Sequence, residues 1–97
     1  MTLFDQVKEA HLDKLKLFVP VVDRVHGNSH PEFHDVRKIF EVIDDKIKAA
    51  GVDQPDLSSE FARLREITDH YTVPNDVCES YAAVYNMLKE LDAAHQG

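Results

Sequence analysis

The chain has one cysteine, no tryptophan, three glycines and four prolines in its 97 residues. A single thiol, Cys78, excludes an internal disulfide framework and suits a reducing compartment such as the cytoplasm. With so few glycines there is no phosphate-cradling loop, and no Ser-His-Asp arrangement marks a hydrolase. No apolar run approaches the roughly eighteen residues that a membrane helix needs. The opening MTLFDQVKEAH has neither a basic nor an apolar region of the kind that a secretory signal carries. Basic residues are scarce: eleven Lys and Arg stand against eighteen Asp and Glu, a net charge of −7. That balance argues against a nucleic-acid footprint and against an anionic membrane surface.

What remains is 43% hydrophobic and 30% charged, the make-up of one soluble globular domain. Its apolar residues keep a helical rhythm throughout, and no two-residue alternation occurs. A first helix spans 2–18, capped by Thr2, with Phe4, Val7, His11, Leu15 and Phe18 on one face. Pro20 ends or kinks it, and a short apolar turn covers Val21 to Val25. A second helix follows a cap at Asn28 or Ser29, buries Phe33, Val36, Phe40, Ile43 and Ile47, and closes at Gly51. The third runs from Pro55 to Tyr71, where Thr72, Val73 and Pro74 stop it. Asp76 and Glu79 form a capping box for the last, which turns Val77, Tyr81, Val84, Leu88 and Leu91 inward. Four amphipathic helices with short connections specify an all-α fold, a small antiparallel four-helix bundle.

Three of six histidines, His26, His30 and His34, recur at four-residue intervals around Gly27, Asn28 and Pro31. Imidazoles gathered in this way suit zinc, iron or copper, or else they solvate a loop and the start of a helix. Di-iron bundles add glutamates four residues after histidines, and every histidine here fails that test. Glu66 and His70 have the reverse spacing on a polar face and read as an exposed ion pair. His11 lies on an apolar face, the position of a partly buried, hydrogen-bonded histidine or of a ligand. Cys78 falls in the first turn of the last helix and reads as a structural or incidental cysteine; Tyr81, Tyr85, Met87 and Leu88 read as packing.

Two stretches resemble a known family. VDRVHGNSHPEFHDVRKIF (22–40) is similar to the VHGxxHPE segment of the repair-of-iron-centres family. LREITDHYTVPNDVCESYAAVYNMLKEL (64–91) is similar to its LRExTxxYTxPxxxC segment and the aromatic helix beyond. The resemblance implies a hemerythrin-like bundle that serves iron–sulfur cluster repair under oxidative or nitrosative stress. It also implies an iron–sulfur or repair protein as the partner, and iron as the metal to expect if one is bound. The family's His-x-x-x-Glu ligand pairs are missing here, so the resemblance implies the scaffold without its di-iron site. His11 matches the family's first inward histidine.

The expectation is therefore an accessory or iron-handling protein of the cytoplasm, not an enzyme. Any metal falls to His11, His26, His30 and His34 with Glu32, and a homodimer is one way to complete the shell. The alternative is a metal-free helical interaction module, with an open bundle edge that leaves apolar surface for a protein partner. A third reading is a zinc or copper sensor built on the 26/30/34 cluster.

Overall fold

Thr2 starts the first helix with a reciprocal cap. Its hydroxyl accepts the Asp5 N–H at 3.1 Å, and its own N–H donates to the Asp5 carboxylate at 3.4 Å. In this computed structural model, which describes residues 2–96, helix α1 then runs over Leu3–His26. It does not stop at Pro20, and the turn expected over Val21 to Val25 is helical. A proline inside a helix costs about 3 kcal/mol through one lost hydrogen bond and a clash with the preceding turn. Val19 and Val22 on either side of it are fully buried, each worth about 1.5–3 kcal/mol, so the packing on both sides of the break outweighs it.

Helix α2 covers Glu32–Ala50 and buries Phe33, Val36, Phe40, Ile43 and Ile47, the five positions that the sequence rhythm singles out. It begins behind Pro31 without a side-chain cap, so neither Asn28 nor Ser29 plays the expected role. Proline supplies the start by fixing its φ at −61° and by having no N–H to satisfy. Gly51 ends the helix with φ at 62°, a conformation that favours glycine.

Helix α3 is shorter than its pattern, Ser58–Ile67. The chain leaves it through Asp69, His70 and Tyr71, three consecutive residues with φ between 52° and 62°. Left-handed backbone costs roughly 1–2 kcal/mol per non-glycine residue. Several hydrogen bonds hold the turn in place. The buried Thr68 hydroxyl donates to the Leu64 carbonyl and accepts the Tyr71 N–H, while the His70 N–H reaches the Arg65 carbonyl. Tyr71 is then tied at its far end, its hydroxyl donating to Asp92 at 2.7 Å.

Helix α4 spans Glu79–Gln96 and carries Tyr81, Val84, Tyr85, Leu88 and Leu91 into the core. No capping box starts it. The Asp76 carboxylate faces His30, and the carbonyl of Cys78 accepts the Ala82 N–H. Successive helices are antiparallel: α1 packs on α2 and α4, and α2 packs on α3. The bundle is 37 Å long, the span of the 24-residue α1. Among the described residues there is no strand, and no helix is long and apolar enough to cross a membrane. The fold is thus the expected small four-helix bundle.

The most deeply buried charged group is a carboxylate of α4. Asp92, 3% exposed, receives Arg65 Nη1 on both oxygens at 2.8 and 3.0 Å, together with the Tyr71 hydroxyl and the Gln96 amide. These bonds tie the end of α3 to α4 with the carboxylate fully satisfied.

Candidate functional site

The end of the bundle where α1 meets the start of α4 gathers most of the chemistry. His26 closes α1 and the turn after it brings back His30; the loop before α4 brings up Asp76 and Cys78. His26 Nε2 lies 3.2 Å from the Cys78 sulfur. His30 bridges two carboxylates, Glu32 Oε1 at 3.0 Å from Nδ1 and Asp76 Oδ1 at 2.9 Å from Nε2. Both ring nitrogens are thereby engaged, one by α2 and one by the loop before α4.

Tyr81 joins the two histidines from below. Its ring meets His26 and His30 edge-on, with centroids 5.6 and 5.5 Å apart, and Phe33 packs against it at 4.9 Å. The Tyr81 hydroxyl shares a buried hydrogen bond of 3.0 Å with that of Tyr85. Burial first, and then this bond, hold the Tyr81 phenol protonated well above its ordinary range; burial also raises that of Tyr85. A cleft of about 170 Å³ opens beside Tyr85, walled by His30, Glu32, Thr68, Asp69 and Thr72.

The five residues assigned to a metal do not form one set. His26, His30 and Glu32 share this end. His34 turns to α1, where its Nδ1 lies 2.5 Å from Asp23 Oδ1 without hydrogen-bond alignment. Arg37 donates to the other oxygen of that buried aspartate at 3.1 Å. Gly27 makes room for the His34 ring, since a Cβ there falls 2.5 Å from ring Cε1. His11 sits far along α1 and pairs with Glu90 of α4, its other ring nitrogen buried and unpartnered. Among the described residues no three His, Cys, Asp or Glu side chains converge as a metal-holding group. The four histidines and Glu32 thus fall at three separate places in the bundle.

Two further expectations change. Glu66 pairs with Arg63 at 2.7 Å rather than with His70, because α3 ends before His70 and the i,i+4 relation is lost. Cys78 is exposed, one residue before α4, with His26 as a neighbour that lies 52 positions away in sequence. Nothing local announces that pair, nor the one between Asp76 and His30. Comparison with protein-family models, curated proteins and solved structures finds no match.

Proposed function

We propose that this chain serves iron–sulfur cluster repair under oxidative or nitrosative stress as an accessory or iron-handling protein, without turnover chemistry of its own. One observation carries the reading. The two stretches that resemble the repair-of-iron-centres family, 22–40 and 64–91, meet in space through His26 with Cys78 and His30 with Asp76. Their joint surface, two imidazoles, an exposed thiol and carboxylates over a tyrosine, is the working end in this reading. An exposed thiol suits the reducing cytoplasm, and an iron–sulfur or repair protein is the partner.

The test uses protein made and purified without oxygen, scored for iron by elemental analysis and for recovery of a nitrosatively damaged iron–sulfur enzyme. Bound iron with faster recovery supports an iron-handling role. Faster recovery by iron-free protein supports an accessory acting by contact. Absence of both removes the repair reading.

The second reading, a metal-free helical interaction module, is favoured by a different observation. The four histidines have separate partners: Glu90, Cys78, the pair Glu32 and Asp76, and Asp23. Side chains held in this way knit helices together. Unchanged thermal stability on adding ferrous iron or zinc is the result this reading expects.

A further inference from the structure

Helix α1 carries two apolar faces, and the bundle covers only one. Leu15, Val19 and Val22 point into the core, fully buried. About 130° round the helix runs a second row. Leu3, Ala10 and Leu17 follow one another at intervals of seven, and Val21 and Val25 continue at intervals of four. Leu3, Leu17, Val21 and Val25 are 58%, 65%, 40% and 63% exposed, four of the six large apolar side chains that the described residues leave to solvent. An open groove of about 390 Å³ adjoins the row, floored by Phe18, Ala83 and Met87 between α1 and α4. A seven-residue apolar rhythm along a solvent face is the pattern of a helix that pairs with another helix.

We infer that the partner is a second copy of this chain, its α1 packed antiparallel against this row about a twofold axis. Charge identifies the occupant. The chain as a whole has net charge −7, which opposes self-association, yet α1 holds four acidic and four basic residues and is neutral. The one element with the exposed row is also free of the repulsion. Asp13 and Arg24 flank the row on the same side, and among the described residues neither has an ion pair of its own. In a twofold antiparallel pair each flank meets the same flank of the other helix. The register that sets Leu17 opposite the partner's Val21 brings Asp13 within about 1.5 Å, along the axis, of the level of the partner's Arg24. By symmetry the bridge forms twice. A contact of this extent is small, below about 1,200 Å² in total, so the dimer belongs to the micromolar range.

Sedimentation equilibrium on the full chain between about 5 and 200 µM tests the inference. Wild type should pass from monomer to dimer across that range. Leu17→Glu should stay monomeric with unchanged helicity and melting temperature. Arg24→Asp alone should weaken the dimer about tenfold, and Asp13→Arg combined with Arg24→Asp should restore it. A wild-type monomer at the highest concentration overturns the inference and assigns the row to a different protein. A dimer that Leu17→Glu leaves intact also overturns it. If Leu17→Glu unfolds, the charge-exchange pair decides: no rescue by the double variant refutes this register and the occupant argued from it.

Discussion

Alkaline pH should unfold this protein through its tyrosines. All three, Tyr71, Tyr81 and Tyr85, are buried, and burial is the first cause that raises each above its ordinary range. For Tyr71 the bond to Asp92 adds to it; for Tyr81, the bond to Tyr85. An unfolded tyrosine loses its proton at about pH 10. Above that pH the unfolded chain binds fewer protons than the folded one, so stability is full below pH 10 and falls as pH rises. Each tyrosine contributes about 1.4 kcal/mol per pH unit for as long as it stays protonated in the folded chain, and three together at most about 4 kcal/mol. Against a total of roughly 5–15 kcal/mol, about one to four pH units above 10 are needed to unfold the domain. With no tryptophan in the chain, absorbance near 295 nm reports tyrosinate alone and circular dichroism follows the helices. The two signals should change together in one cooperative step. Tyr71→Phe should make the loss of stability with pH shallower by about a third. Tyrosinate appearing near pH 10 while helicity persists would refute the reasoning, since it would mean that the phenols ionise inside the folded bundle.

Asp92→Ala should cost about 3–5 kcal/mol, because it strands Arg65 and the Tyr71 hydroxyl and loosens the left-handed turn; urea unfolding followed by circular dichroism measures it. Pro20→Ala should stabilise by about 1–2 kcal/mol, the recovered helical bond less the lost rigidity of the unfolded chain, and an unchanged or lower melting temperature contradicts the account of α1. His30→Ala should lower stability by only about 1 kcal/mol, since the Asp76 it releases is largely exposed. It should nevertheless speed amide exchange across residues 72–78, and unaltered exchange there would show that His30 does not hold the loop.

Periodicity made the core legible. The five apolar residues of α2 and the inward row of α4 from Tyr81 to Leu91 lie where spacing places them, because a helix has one repeat and an apolar stripe must be covered. Local punctuation is a weaker guide. Pro20 breaks a hydrogen bond without ending α1, and α3 ends before its pattern does, since the bonds made by Thr68 and Tyr71 favour a left-handed exit. In both places contacts distant in sequence outweighed a preference of one or two residues.

The sequence by itself determined that the chain is helical, which faces are apolar, that no disulfide shapes it and that its charge is acidic. These follow from composition and from a repeat of 3.6 residues, quantities that need no knowledge of the rest of the molecule. Only the tertiary structure decided who meets whom: Cys78 with His26, Asp76 with His30, Asp92 with Arg65 and Tyr71, and His11 apart from the other histidines. A hydrogen bond or an ion pair depends on distances of a few ångströms between residues up to 79 positions apart, and such distances exist only once the helices have packed.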